Sequence, residues 1–211
     1  MFDLDGVIVD SEQVWDDVRQ AYVVEVGCVF PPEATRAMMG MSAPEWSRYL
    51  SVELGVPGTP AEISAAIVER MLARYGEAPP LLPGAVDAVR RLAERWPVAI
   101  ASSSNPELIE AVLGASGLDR VVVAAVSSEE VARGKPAPDV YLETVRRLGV
   151  DPEHAAAVED SQPGIRSARA AGLRVIAIPN AHFPPGEDAL ALADVVLWTI
   201  GELTAAVVER A

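Results

Sequence analysis

The stretch Asp3-Leu4-Asp5-Gly6-Val7-Ile8-Val9-Asp10-Ser11-Glu12 opens with two carboxylates two residues apart, directly after Phe2. In an extended segment, side chains at i and i+2 lie on one face, so a strand ending here aims Asp3 and Asp5 at one place. Two carboxylates that close do not both ionise cheaply: either a cation bridges them, or one acid has a raised pKa and keeps its proton. Gly6 lets the chain turn with positive φ immediately after the pair. Taken alone, Asp-x-Asp-Gly is most often a solvated turn. Spacing excludes an EF-hand calcium loop, which needs glycine at its sixth position and glutamate at its twelfth; counted from Asp3, those positions hold Ile8 and Val14.

The chain has 211 residues, half of them apolar, enough for a sizeable core and for one domain or a domain with an insertion. Its net charge of −14 argues against nucleic acid or an anionic membrane as partner, since phosphate backbones are bound through Lys and Arg. No apolar run approaches the ~20 residues of a membrane span, and no basic segment precedes an apolar stretch. Neither anchor nor signal peptide is expected, and the expected location is cytoplasmic. Cys28 has no second cysteine to pair with and is expected to be a small buried hydrophobe near a helix end. Of 17 basic residues, Lys135 is the one lysine, which marks the position.

Ser11 is placed to cap a helix with Val14, Val18, Tyr22 and Val26 on one face, stopping at Gly27. Helical patterns follow at residues 32–39, 43–54 and 60–75, the last capped by Thr59, with no strand pattern between them. Residues 12–80 therefore read as a helical module, ending at Ala78-Pro79-Pro80, a stiff connection suited to a hinge. After Pro83-Gly84 the period changes. Helical patterns at 85–95, 106–113, 140–148, 165–171 and 202–210 alternate with short apolar strands at 98–101, 121–126, 155–158 and 174–178, with Asn105 as a cap and Pro106 in the first helical position. Such alternation predicts an α/β fold with a doubly wound parallel, Rossmann-like core.

In parallel sheets of this kind, ligands sit beyond the carboxyl ends of the strands. Asp3 and Asp5 follow the first strand, Ser102 ends the second, Lys135 follows the third after a short excursion, and Glu159-Asp160 end the fourth. Separately, each has a bland explanation: a turn hydroxyl, a surface charge, a pair of acids at a helix amino end. Together, four strand ends supply acids, a hydroxyl and the lone lysine.

The order Asp3-Leu4-Asp5-Gly6, then Ser102 after an apolar strand, then Gly134-Lys135-Pro136-Ala137-Pro138-Asp139, then Glu159-Asp160-Ser161 with Gly164 resembles the haloacid dehalogenase superfamily, in its phosphatase and β-phosphoglucomutase-like branch. The resemblance covers nearly the whole chain. It implies a core domain of residues 1–11 and 81–211 with an α-helical cap domain inserted at 12–80. It also implies hydrolysis of a small-molecule phosphate ester by a monomer that needs magnesium. Asp3 would be the nucleophile that forms an aspartyl phosphate. Asp5 would protonate the leaving alcohol and then activate water, for which a pKa raised by neighbouring carboxylates is suited. Magnesium would be held by the Asp3 carboxylate, the main-chain carbonyl of Asp5 and the Asp160 carboxylate, with Glu159 nearby or through water. Ser102 would bond a phosphoryl oxygen, and Lys135 would neutralise both it and Asp3.

The same resemblance assigns substrate recognition to Gly6, Ser11, Trp15, Met41, Ser42 and Trp46, and to the loop Ser103, Ser104 and Asn105. Trp15 stands where β-phosphoglucomutase has histidine, and Ala43, after Gly40-Met41-Ser42, stands where it has arginine. The inserted segment has no lysine, whereas a mutase must hold a distal phosphate through Arg or Lys, so hydrolysis is expected over isomerisation. The absent lysine also removes a phosphonatase, and the presence of Asp5 argues against a dehalogenase. A receiver-like phospho-acceptor has its acidic pair ahead of the acceptor and no cap. Only Met1 and Phe2 precede Asp3, where the family carries several apolar residues, so either the start is truncated or the strand is very short. Asp10 suits a turn or cap as well as a role in shaping the loop, and His154 and His182 follow no ligand spacing and are expected in surface loops.

Overall fold

The protein, a computed structural model, is described at residues 1–39, 41–180 and 184–211, with only the backbone of Glu77. Gly40 and His182 lie outside the described residues. The sheet is parallel throughout. Strand β1 (Val98–Ser102) pairs with β2 (Val122–Ser127), and β3 (Ala156–Glu159) pairs with β4 (Arg174–Ala177), which pairs in turn with the two-residue edge strand β5 (Val195–Val196). Phe2 joins the two halves, bridging Ile100 on one side and Val158 on the other.

The first residues therefore run through the middle of the sheet. Phe2 N donates to Ala99 O at 2.8 Å and Ala101 N to Phe2 O at 2.9 Å, while Asp3 N donates to Val158 O at 3.0 Å and Val158 N to Met1 O at 2.9 Å. Main-chain bonds hold this segment from both flanks.

Side-chain alternation along the strands builds two cores. Phe2, Ile100, Val158 and Ile176 share one with α5 (Ala85–Ala93), α6 (Pro106–Ser116) and α10 (Ala205–Arg210), whereas Ala101, Ala157, Val175 and Ala177 share the other with α7 (Asp139–Leu148) and α8 (Gln162–Ala170). Helices on both faces make the sheet doubly wound.

Between strand-forming parts of the chain lie α1 (Glu12–Glu25), α2 (Ala34–Met38), α3 (Ala43–Val52) and α4 (Pro60–Glu77), with no strand among the described residues of this stretch. Thr59 caps α4 as its spacing suggests: its hydroxyl accepts from Glu62 N, and Glu62 answers at Thr59 N at 2.8 Å. Entry and exit run side by side, with Val9 and Leu81 in an antiparallel bridge and Asp10 N donating to Pro80 O at 2.7 Å.

Local readings fail where a better partner intervenes. Ser11 precedes α1 but makes no cap; its hydroxyl donates to the Asp5 carboxylate, a charge-assisted bond stronger than a cap to a neutral N–H. Asn105 likewise leaves α6 uncapped and donates to Glu129 Oε1 at 2.6 Å. Helix α2 is shorter than its pattern; the chain before it makes a turn in which Ala34 N donates to Pro31 O at 3.0 Å. The last helical pattern splits: a 3-10 turn covers Ile200–Glu202, and Thr204 restarts the helix by accepting from Val207 N at 3.3 Å. Strand β5 and the one-turn helix α9 (Glu187–Leu190) are too short to show a period. Cys28 is half-buried with Sγ 3.8 Å from Gly55 O, and His154 is exposed in a 3-10 turn. No helix among the described residues is long and apolar enough to cross a membrane.

Candidate active site

A cavity of about 750 Å³ lies where the carboxyl ends of the central strands face α1, α2 and α3. Asp3 and Lys135 lie on its wall. Lys135 is 5% exposed, and its Nζ donates to Ala101 O at 3.1 Å, Glu159 Oε1 at 2.6 Å and Asp3 Oδ1 at 3.0 Å. Three acceptors meet its three protons. Burial alone would lower its pKa, but Asp3 and Glu159 hold it above its ordinary value. Asp3 Oδ1 also accepts from Leu4 N at 2.8 Å, so that oxygen is fixed by two donors.

Carboxylates outnumber that cation. Oxygens of Asp3, Glu159 and Asp160, all three buried, come within 4.8 Å of one another. Burial first, then the charge of Glu159, raises Asp3 to about 7 against the opposing pull of Lys135. Asp160 is pushed well above its ordinary range by burial and then by Asp3 and Glu159. Glu159 is also bonded by Tyr141 Oη at 2.5 Å. Two glycines make the crowding possible: a Cβ on Gly6, whose φ is +73°, would collide with the Asp160 carboxylate, and one on Gly164 would collide with that of Glu159. Three hard carboxylates sharing one ammonium are a fitting donor set for a small divalent cation.

Asp5 takes a different direction. Its carboxylate accepts from the hydroxyls of Ser11 and Ser104 and from Trp15 Nε1 at 3.3 Å. Three donors, from Ser11 before α1, Trp15 in α1 and Ser104 in the loop after β1, thus fix it beside Asp3 without making its side chain part of the acid cluster. Ser102 is wholly buried; its Oγ accepts from Ser104 N at 3.0 Å and donates no hydrogen bond among the described residues. Ser103, Ser104 and Asn105 line the cavity, and Asn105 Oδ1 is buried without a partner.

The helical segment contributes Trp15, Met41 and Trp46 to the wall. Ser42 does not reach it: its Oγ and N both bond Glu45 Oε2, at 2.6 and 2.7 Å, as the cap of α3. Asp10 is exposed and off the cavity wall; its N donates to Pro80 O, and its charge bears on Glu12. Among residues that sequence reasoning missed, Glu12 lines the cavity with Oε2 buried and unpartnered, and is raised to about 7 by burial and then by Asp5 and Asp10. Arg19 and Arg36 also reach the cavity. The absence of lysine from residues 12–80 is therefore no absence of cations. A helical offset of four from Trp15 was the available signal for Arg19.

A family model described as haloacid dehalogenase-like hydrolase matches residues 1–172. Hexitol phosphatase B of Escherichia coli (strain K12) is 32% identical over 211 residues, covering 97% of this chain and 93% of that protein. Fructose-1-phosphate phosphatase YqaB of the same strain is 32% identical over 185 residues, covering 83% and 93%. Among solved structures, CbbY from Rhodobacter sphaeroides in complex with phosphate superposes with a TM-score of 0.89 at 29% identity, covering 99% of this chain and 97% of that one.

Proposed function

The chain belongs to the haloacid dehalogenase-like hydrolase family, and we propose that it is a magnesium-dependent phosphomonoesterase acting on a small sugar or polyol phosphate. One observation carries this reading: the buried set Asp3, Glu159 and Asp160, answered by the single ammonium of Lys135 on the wall of a metabolite-sized cavity. The phosphatase names of the two Escherichia coli relatives support the reaction class and the kind of substrate.

In this reading Asp3 attacks phosphorus, forming an aspartyl phosphate as the bond to the alcohol oxygen breaks, and Asp5 gives that oxygen a proton. Asp5 then takes a proton from water, which attacks the aspartyl phosphate, frees inorganic phosphate and restores Asp3. The three donors hold the Asp5 carboxylate in one orientation for the second transfer. Lys135 offsets charge on Asp3 and on the phosphoryl group, and Ser102 directs its free proton to a phosphoryl oxygen. Magnesium, held by the carboxylates of Asp3 and Asp160 and the carbonyl of Asp5, with Glu159 beside them, would supply charge neutralisation for a dianion facing these acids. The helices of residues 12–80 act as the cap that covers the reaction, hinged beside the single bridge between Val9 and Leu81.

The test is phosphate release from p-nitrophenyl phosphate and from fructose 1-phosphate with magnesium, alongside β-glucose 1-phosphate. Multiple turnovers with free phosphate are expected. One stable phosphorylation per chain would indicate a phospho-acceptor, and glucose 6-phosphate without free phosphate would indicate a mutase.

A further inference from the structure

Arg19 is a cation on the cavity wall that makes no hydrogen bond or ion pair among the described residues. It is 9% exposed, its Nε is buried without a hydrogen-bond partner, and none of the ion pairs among the described residues includes it. Its neighbours are two indoles, with the guanidinium carbon 4.6 Å from the Trp15 ring centroid and 4.9 Å from that of Trp46. The rings attract the cation and orient its plane, yet they accept none of its five N–H donors. Asp5 and Asp16 lie near enough to oppose the effect of burial on its charge, but Asp5 is bonded by Ser11, Ser104 and Trp15 and Asp16 by Thr35. Arg36, exposed and also outside every described ion pair, lines the same cavity.

A buried N–H without an acceptor, here Arg19 Nε, is unfavourable until a ligand supplies one. Hydroxyl oxygens supply acceptors but no charge. Carboxylate and phosphate offer both, in the bidentate geometry that a guanidinium fork matches. We propose that Arg19 determines specificity, selecting phosphate esters that carry a second anionic group, a carboxylate or another phosphate, at the end remote from the bond that breaks. The proposal rests on the phosphatase reading above and narrows its substrate class.

The test compares sorbitol 6-phosphate, 6-phosphogluconate and fructose 1,6-bisphosphate, the first two differing only in whether the far carbon is an alcohol or a carboxylate. Phosphate release with magnesium is followed for the native protein, Arg19→Gln and Arg19→Lys, with p-nitrophenyl phosphate as an ester lacking any far group. The native protein is expected to favour at least one anionic ester over sorbitol 6-phosphate by about tenfold or more in kcat/KM, and which one identifies the anion. In Arg19→Gln, kcat/KM for that ester is expected to fall about tenfold further than for p-nitrophenyl phosphate, chiefly through KM, with partial recovery in Arg19→Lys. Equal use of the alcohol and both anionic esters overturns the proposal, as does a uniform loss on every ester, which marks Arg19 as a brace for the two indoles. Should Arg19→Gln fail to fold, the native substrate ranking and Arg19→Lys decide. Should no ester be hydrolysed, the phosphatase reading falls on its own, and calorimetric binding of the same ligands to the native protein with magnesium decides for Arg19. An anionic ligand binding about tenfold tighter than sorbitol 6-phosphate supports the proposal, and equal affinities overturn it.

Discussion

Lys135 Nζ stands 3.0 Å from Asp3 Oδ1, and both side chains are closed to solvent. The lysine comes from the loop after β2 and the aspartate from the end of the central strand, 132 positions apart in sequence, so their meeting requires the finished sheet. Glu159, bound to the same Nζ at 2.6 Å, makes the lysine the hub of a buried ionic cluster. Removing one partner from such a cluster leaves the others uncompensated.

Lys135→Met should therefore cost about 3 to 5 kcal/mol of stability and nearly all activity. Denaturant unfolding checks the first, and phosphate release the second. A variant as stable as the native protein would show that Asp3 and Glu159 do not depend on this cation.

Asp3→Asn should lose at least ~10³-fold in rate, since it removes the nucleophile, while keeping the bond from Leu4 N that holds the loop. Asp5→Asn should instead accumulate phosphoenzyme from p-nitrophenyl phosphate, whose leaving group needs little acid help while hydrolysis still needs a base. Acid-quenched protein examined by mass spectrometry distinguishes the two variants.

The metal-free protein should lose stability as pH rises from about 4 to about 7. Asp3 titrates near 7 in the folded chain and near ~3.9 when unfolded, so across that window the native state holds a proton that the unfolded state has released, and the slope of stability against pH is negative. Magnesium, which binds the deprotonated acids, should lessen the decline, leaving the part due to Glu12. Thermal unfolding across pH, with and without the ion, measures both.

EDTA should abolish phosphate release, magnesium should restore it, and calcium should bind without restoring it. Calcium accepts more ligands in looser geometry, which would displace Asp3 from the line of attack. Full activity in EDTA, or equal activity with calcium, would sink the metal assignment.

Gly6→Ala should destabilise the fold by about 1 to 3 kcal/mol and weaken magnesium binding. The added Cβ meets the Asp160 carboxylate, and the backbone there has φ +73°. Unchanged metal affinity by calorimetry would show that Asp160 can move aside without consequence.

Much of the candidate site was legible because a parallel sheet sends the residue after each strand to the same edge. Apolar runs ending in Asp3, Ser102 and Glu159-Asp160 could be read one by one, and the single lysine marked itself. The cavity wall built by helices was less legible. Ser42, the cap of α3, and Trp46 within it lie four residues apart, yet Ser42 bonds Glu45 while Trp46 packs against Trp15 at 5.9 Å between ring centroids. Helical periodicity says which residues share a face but not which neighbour that face meets. Arg19 was overlooked for the same reason, since an arginine on an amphipathic helix ordinarily reaches water.

By itself, the sequence determined the alternation of strands and helices, the run of helical patterns within residues 12–80 and the order in which acids, hydroxyl and lysine arrive at strand ends. These depend on periodicity and on turn residues, which act over a few positions. Tertiary structure alone decided that Met1, Phe2 and Asp3 bond the strands on both flanks, that Ser11 serves Asp5 instead of its helix, and that Arg19 is buried between Trp15 and Trp46. Each is a choice among competing partners, and the partners are brought within reach only when segments distant in the chain pack together.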